Sequence, residues 1–196
     1  MRTSSDKDRR RQRRRRRLQV IVIYTAIAIG LAWFFESQDT TTIIFVRHAE
    51  KAALPESDPG LSEAGQRRVA ELTRQLADAD VVAGIDAVFA TAFRRAQETA
   101  TPIADVLDLP INTYDAADTK TVLDTILRDY KGKIILVVGH SNTVPKLIAK
   151  LGASKNVPEI AEDEYDNIYI ISIPWFGKTK TIRLRFGEPY VASQVQ

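Results

Sequence analysis

The chain has 196 residues, 44% hydrophobic and 27% charged, which is enough for one ordinary domain with a short appendage and is unlike a disordered protein. It has no cysteine, which excludes disulfides, thiolate metal sites and a cysteine nucleophile. The net charge of +3 is unevenly divided, because residues 1–17 carry +8 and the remainder carries −5. The basic character therefore belongs to the N-terminal tail, and it does not predict a folded domain that binds nucleic acid.

An uncharged apolar run at residues 18–35 follows the basic tail. As a helix it would extend about 27 Å, close to the hydrocarbon thickness of a bilayer. Trp33, Phe34 and Phe35 end it where an interfacial aromatic belt would lie, and the arginines precede its start. We therefore expect a single-pass signal anchor with a cytoplasmic N-terminus, and the chain after Glu36 on the far, extracytoplasmic side of the membrane.

Two other interpretations of this run stay open. A signal peptide cleaved near Ala28 would leave an apolar new N-terminus, and the run is longer than is usual for such a peptide. A buried core helix would normally show a polar stripe. The basic tail, residues 1–17, is expected to contact anionic lipid headgroups rather than nucleic acid. The linker, residues 36–40, spans at most about 17 Å and would hold the following domain near the membrane.

Strand and helix patterns alternate after the linker. Strands are predicted at 41–47, 87–90, 111–114, 133–138, 167–173 and 180–186, and helices at 62–80, 94–107, 119–130 and 142–151. This alternation predicts an α/β three-layer sandwich, in which helices flank both faces of a mainly parallel sheet. The predicted domain covers 41–187 and leaves a C-terminal tail, 188–196. Ligands of such folds bind at the carboxyl ends of the strands.

The chain has two histidines, His48 and His140, and each directly follows a buried predicted strand. A single histidine is more often structural than catalytic, but parallel strands bring their carboxyl ends together, so this pair can share one pocket. Arg47 precedes the first histidine, and a helix predicted to start near Asn142 would add amide donors beside the second. These groups would form a cationic pocket suited to a phosphate dianion.

Four segments resemble, in order, the conserved elements of the histidine phosphatase superfamily, which includes the phosphoglycerate mutases and the short phosphohistidine phosphatases. FVRHAEK at 45–51 resembles the Arg-His-Gly/Ala-Glu signature, and LSEAG at 61–65 resembles the Leu-Ser/Thr-x-x-Gly stretch. TAFRRAQETA at 91–100 is similar to the Ser-x-x-x-Arg-x-x-x-Thr-Ala element, and VVGHSNTV at 137–144 to the strand followed by Gly-His. Together they span nearly all of 41–151.

The resemblance implies that His48 is the nucleophile and forms a transient phosphohistidine. It implies that the phosphoryl group is bound by Arg47, Arg95 and His140. Ser141 and Asn142 either contact phosphate or cap the next helix. No metal ion or other cofactor is required.

The general acid is the least defined part of the predicted site. Asp115, just after a short predicted strand, is the candidate, although an ordinary loop aspartate is equally consistent with its position. Glu50 either orients pocket residues or is solvated, and Arg94 is interpreted as a solvated neighbour of Arg95. The acidic run at 162–166 is interpreted as exposed rather than as a metal site.

The predicted function is that of a membrane-anchored phosphatase that hydrolyses phosphomonoesters or phosphoproteins. The short segment between Ala100 and Lys133 predicts an open pocket, able to admit small molecules, phosphoproteins or lipid-linked phosphates. The alternatives are a catalytically idle anchored module that binds phosphorylated partners and, less favoured, a mutase-type phosphotransferase. Trp175 and Phe176, at a predicted hairpin turn, either pack on the core or touch the membrane.

Overall fold

A computed structural model of the chain describes residues 4–36, 40–77, 84–154 and 156–191. The chain divides into two compact units, Met1–Gln38 and Asp39–Gln196.

The first unit is one helix, α1, which spans Ser4–Glu36. Its described side chains, at residues 11–34, are exposed. The stretch Arg11–Phe34 is long and apolar enough to cross a membrane. Signal sequences share this length and composition, so the helix supports an anchor by these two properties alone and says nothing of its orientation.

The second unit contains six strands and four helices among its described residues. They are β1 Thr41–Arg47, α2 Glu63–Ala77, β2 Ala87–Thr91, α3 Arg94–Val106, β3 Ile111–Tyr114, α4 Thr119–Asp129, β4 Ile134–Gly139, α5 Val144–Lys150, β5 Asn167–Ile173 and β6 Lys180–Arg185. Each predicted strand and helix is present with small shifts at its ends. Residues 78–80, the predicted end of α2, lie outside the described residues.

The strands form one sheet in the order β3-β2-β4-β1-β5-β6. Strands β1 to β4 run parallel, and β5 and β6 pair antiparallel at one side. The central strands β1 and β4 are buried on both faces, which explains their nearly continuous apolar sequences. The outermost strand β6 is largely exposed and carries lysine and arginine, residues that discourage pairing at a sheet edge. The prediction of a mainly parallel sheet is confirmed.

Alternate residues of β1 pack into two different cores, because successive strand side chains point to opposite faces. Ile43 and Phe45 join one cluster with residues of α4 and α5. Ile44 and Val46 join the other with residues of α2 and α3. Helices therefore cover both faces of the sheet, as the three-layer prediction requires.

The helix after β4 begins later than predicted. It starts at Val144, with Pro145 in its first turn, where a missing backbone N–H does no harm. Thr143 Oγ1 accepts a hydrogen bond from the His140 N–H at 2.9 Å, and this bond holds the chain in a turn before the helix. The predicted helix amides at Asn142 are therefore absent.

The loop after β1 packs closely on the start of α2. Ser62 caps this helix, since its Oγ accepts from the Gly65 N–H at 3.1 Å, and the Ser62 N–H donates to Glu50 O at 2.9 Å. A Cβ added to Gly65 would lie 2.3 Å from Glu50 O, nearer than real Cβ contacts come. Because glycine has no Cβ, α2 can pack directly against the loop that carries His48.

Replacing Gly65 with alanine should therefore destabilise the second unit by about 1–3 kcal/mol and lower phosphatase turnover, since backbone must move to admit the methyl group. Urea unfolding and steady-state kinetics measure the two effects. Gly30→Ala is the control, because a Cβ there meets nothing within 4 Å. Equal stability of Gly65→Ala and the wild type would contradict the close packing described above.

Candidate active site

One cavity of about 910 Å³ opens at the carboxyl ends of β1 and β4. Six residues predicted from the sequence line it, namely Arg47, His48, Arg95, His140, Ser141 and Asn142. Residues from other segments complete the wall, and they include Lys51, Phe93, Lys146, Glu162, Asp163 and Tyr165. Side chains from segments remote in the chain thus meet around one space, because parallel strands end at the same edge of the sheet.

His48 is held in one ring orientation. Its backbone N–H donates to Gly139 O at 2.9 Å, and its Nδ1 lies 2.8 Å from Ala49 O. A carbonyl oxygen can only accept, so this contact requires the proton on Nδ1 and leaves the lone pair on Nε2. Arg95 Nε donates to that Nε2 at 3.1 Å. The unprotonated nitrogen of His48 therefore faces the guanidinium of Arg95.

The site keeps both imidazoles neutral. Burial, reinforced by the charges of Arg47, His140 and Arg95, lowers the pKa of His48 to about 3, despite the opposing effect of the Ala49 carbonyl. Burial and the same two arginines lower the pKa of His140 to about 4. Neutral imidazole is the form that can attack phosphorus, so His48 is ready to react near neutral pH without a separate base.

His140 lies beside His48, with 5.2 Å between the ring centroids. Its Nε2 lies 2.9 Å from Thr91 Oγ1, and the Phe93 ring meets it edge-on at 5.1 Å. Thr91, fully buried at the end of β2, is a site residue that sequence reasoning missed. Its position four residues before Arg95, in the same motif, was the available signal.

Arg47 is fixed by the loop before β5. Its Nη1 donates to Ala161 O at 2.6 Å and to Glu164 O at 2.9 Å, and its Nη2 donates to Glu162 O at 2.7 Å. The guanidinium carbon lies 4.1 Å from the Tyr165 ring centroid. Its Nε is buried and has no hydrogen-bond partner within the described part of the chain. Three of the five N–H groups of Arg47 thus bind this loop, and the Nε–H is one of the two that do not.

The acidic run at 162–166 is exposed at Glu162 and Asp163, as predicted, and differs from the prediction in its second half. Glu164 and Asp166 are buried, and Arg185 donates to Glu164 at 3.2 Å and to Asp166 at 2.7 Å. Of the acidic residues in this run, Glu162 and Asp163 line the cavity. Within the described ranges, no group of three or more His, Cys, Asp or Glu could hold a metal ion. The run holds Arg47 in place because its buried carboxylates are paired with Arg185.

Asp115, the predicted general acid, does not line this cavity. Its Oδ1 accepts from the Ala117 N–H at 2.9 Å, and the residue lines a neighbouring cavity with Asp118 and Thr121. The reason is local, because an aspartate readily binds the backbone two residues on in a tight turn. The segment instead presents Ala116 and Ala117 to the active-site cavity.

The two remaining charged candidates also lie outside the cavity wall. Glu50 accepts from Arg68 Nε at 2.7 Å and so joins the nucleophile loop to α2. Arg94 is exposed and pairs with Glu98 at 2.6 Å, as expected of a solvated neighbour.

Thr99 links the nucleophile loop to the helix that carries Arg95. Its Oγ1 accepts from the Ala49 N–H at 3.0 Å and donates to Arg95 O at 2.7 Å. Ala49 O accepts the hydrogen bond from His48 Nδ1, and Arg95 Nε donates to His48 Nε2. The Thr99 hydroxyl, which binds both Ala49 and Arg95, therefore positions both partners of the imidazole. Thr99 was quoted within the predicted motif, but its role comes from these contacts.

Thr99→Val should lower kcat/KM for a small aryl phosphate about 10- to 100-fold, because a buried N–H left without a partner costs about 1–3 kcal/mol. Valine keeps the shape of threonine and removes the hydroxyl. Thr99→Ser keeps the hydroxyl and should retain most of the activity. Wild-type kinetics in Thr99→Val would show that the bridge does not position His48.

Acidification should destabilise the second unit before its carboxylates titrate. Unfolded histidines bind a proton near pH 6.5, whereas folded His48 and His140 do so near pH 3 and pH 4, so the unfolded state binds more protons in between. The unfolding free energy should therefore fall by up to about 1.4 kcal/mol per pH unit for each histidine as the pH drops from about 6.5 to about 5.

Urea unfolding of the chain in detergent, followed by circular dichroism at several pH values, measures this slope. His140→Gln should reduce the slope, because one titrating group is removed. An unchanged slope in this variant and in His48→Gln would assign the pH dependence to other groups.

The family model described as histidine phosphatase superfamily (branch 1) matches residues 43–118. This range contains Arg47, His48 and Arg95. A search of curated proteins gives no significant match.

The fold is shared with solved phosphatase structures. The protein histidine phosphatase SixA complexed with tungstate is 20% identical, with a TM-score of 0.60 over 74% of this chain and 96% of its own. A mutant phosphoserine phosphatase from Entamoeba histolytica in complex with phosphoserine is 14% identical, with a TM-score of 0.54 over 74% and 96%. A mycobacterial glucosyl-3-phosphoglycerate phosphatase is 12% identical, with a TM-score of 0.55 over 74% and 97%.

At these identities the structural likeness establishes the fold, and the family match adds the signature residues of the first half of the domain. Together they support phosphatase activity. The resemblance inferred from the sequence is confirmed, because the histidine phosphatase superfamily model matches residues 43–118 and solved phosphatases share the fold.

Proposed function

We propose that this protein hydrolyses phosphomonoesters or phosphoproteins through a phosphohistidine intermediate on His48. The observation that carries the proposal is the pair of contacts on its ring. The Ala49 carbonyl keeps the proton on Nδ1, and Arg95 Nε meets the free lone pair of Nε2. A substrate phosphate that replaces the imidazole as partner of Arg95 would be brought directly against that lone pair.

In the first step, His48 Nε2 attacks phosphorus, the N–P bond forms and the bond to the ester oxygen breaks. The leaving oxygen takes up a proton. Arg95, the unpartnered Nε of Arg47 and His140 surround the transferring group, and the two arginines stabilise the charge on its equatorial oxygens. In the second step a water oxygen attacks phosphorus, the N–P bond breaks and inorganic phosphate leaves.

Glu162 and Asp163 are our candidates for donating the proton to the leaving oxygen. They are the carboxylates among the described residues of the cavity wall, whereas Asp115 lines a different cavity. Either group can serve in the hydrolysis of an alkyl ester, whose leaving oxygen is strongly basic. An aryl phosphate has a weaker need for this proton, since its leaving oxygen is less basic.

The cavity wall favours anionic substrates larger than phosphate alone. Lys51 and Lys146 line it in addition to the two arginines, and a volume of about 910 Å³ exceeds what a phosphoryl group occupies. These cations are placed to attract a second acidic group of a small molecule or the acidic surroundings of a phosphorylated side chain.

We also propose that residues 18–35 anchor the enzyme as a single membrane span, with the basic residues 1–17 in the cytoplasm and the second unit on the other side. The length and composition of Arg11–Phe34 support a span. The orientation is supported by the charge asymmetry, because arginine-rich flanks stay on the cytoplasmic side.

Rapid quenching in alkaline detergent, after mixing the enzyme with a ³²P-labelled phosphomonoester, tests the covalent mechanism. Label should remain on the wild-type protein with the acid lability of a phosphoramidate, and His48→Ala should abolish both label and turnover. Arg95→Ala should lower kcat/KM by at least about 100-fold, because it removes a charged donor to the transferring group. Arg94→Ala is the matched control and should behave almost as the wild type, since Arg94 pairs with Glu98 outside the cavity.

Turnover that persists in His48→Ala would refute the nucleophile. Tight binding of the phosphoester by the wild type without label or turnover would instead identify an idle phosphate-binding module.

A further inference from the structure

At the ends of the strands remote from the cavity, two separate segments of the chain lie side by side. Thr41, where the chain enters β1, pairs with Ile173, the last residue of β5. The turn between β5 and β6, residues 174–179, follows Ile173 directly. The tip of this hairpin therefore lies next to the point at which the chain arrives from the N-terminal segment.

The hairpin tip exposes two large aromatic side chains. Phe176 is 86% exposed, so it does not pack into the core, which was one of the two sequence-based interpretations, and Trp175 is 50% exposed. Lys178 and Lys180 follow them within four residues. Aromatic rings beside lysines are typical of segments that lie at the headgroup level of a bilayer, because the rings enter the apolar boundary while the cations meet anionic lipids.

Apolar surface continues beside the tip. Ile173, Leu127 and Leu151 line a crevice of about 440 Å³ with Leu123, Lys120, Asp124 and Lys150. Leu127 is 41% exposed although it is an aliphatic residue near the end of α4. An edge that combines exposed aromatic and aliphatic groups with several lysines matches the chemistry of an anionic membrane surface.

We propose that the β5–β6 tip inserts Trp175 and Phe176 into the headgroup region of an anionic bilayer, where Lys178 and Lys180 contact lipid phosphates. The proposal rests on the anchor proposed for residues 18–35. Five residues of the sequence, 36–40, separate the proposed anchor from Thr41, and the tip lies beside Thr41.

This placement defines the substrate class. The seven residues of β1 extend about 20 Å, and His48 follows the end remote from Thr41. With the tip in the membrane, the cavity opens away from the bilayer. The substrates are then water-soluble phosphoesters or phosphoproteins, and lipid headgroup phosphates in the same membrane are out of reach.

Tryptophan fluorescence of the full chain in vesicles tests the proposal, since Trp33 and Trp175 are the two tryptophans of the sequence. Trp33→Phe leaves Trp175 as the single reporter in vesicles of phosphatidylcholine and phosphatidylglycerol. Lipids brominated near the headgroup end of their acyl chains should quench it strongly and its emission should be blue-shifted. The control adds Trp175→Phe and Leu54→Trp, which moves the reporter to a side chain 76% exposed in the loop after β1, and this reporter should stay unquenched.

The outcomes distinguish the proposed anchor, the inserted tip and the outward-facing cavity from one another. Failure of the protein to float with the vesicles overturns the anchor and the inserted tip together. Flotation with an unquenched Trp175 overturns the inserted tip alone, whether or not its emission is blue-shifted. Equal quenching at position 54 overturns the outward-facing cavity.

Activity on the same vesicles gives an independent readout. A soluble aryl phosphate should be hydrolysed, and phosphatidic acid in the bilayer should remain intact. Hydrolysis of phosphatidic acid overturns the substrate class. Loss of both activities with a quenched Trp175 contradicts the proposed phosphatase and leaves the inserted tip supported.

Discussion

The site depends on one hydrogen bond, from His48 Nδ1 to the carbonyl of Ala49. Because this oxygen only accepts, the bond determines which ring nitrogen carries the proton and which can attack phosphorus. The carbonyl is held in turn, since Ala49 N–H donates to Thr99 and the His48 N–H donates to Gly139 of β4. The ring orientation of His48, the proposed nucleophile, is thus fixed by its surroundings.

Two arginines, Arg47 buried and Arg95 partly buried, also need compensation next to two imidazoles. Neutral histidines avoid like-charge repulsion, and their lowered pKa values follow from burial and from the arginine charges. Arg47 donates to three backbone carbonyls of the segment that also contains Glu164 and Asp166. Arg185 neutralises those acids from β6, so the edge hairpin contributes to the shape of a pocket to which it supplies no catalytic group.

The two ends of the strands in this mixed sheet differ in their chemistry. Parallel strands bring the loops that carry His48 and His140 to one edge, where the phosphate chemistry is placed. The antiparallel pairing of β5 with β1 returns the chain to the opposite edge and exposes aromatic and basic residues there. The strands therefore separate the end of the sheet that carries the candidate site from the end that is proposed to contact lipid.

The alternation of apolar strands and amphipathic helices predicted nearly every element, because burial on a sheet or a helix face leaves a periodic record in the residues themselves. The two histidines were identifiable for a related reason, since each directly follows a buried strand, whereas Arg95 was identified through the family resemblance. The sequence could not assign Thr91, Thr99 or Tyr165, nor the loss of Asp115 from the pocket. Those depend on which side chains meet across loops far apart in the chain, and only tertiary packing decides that.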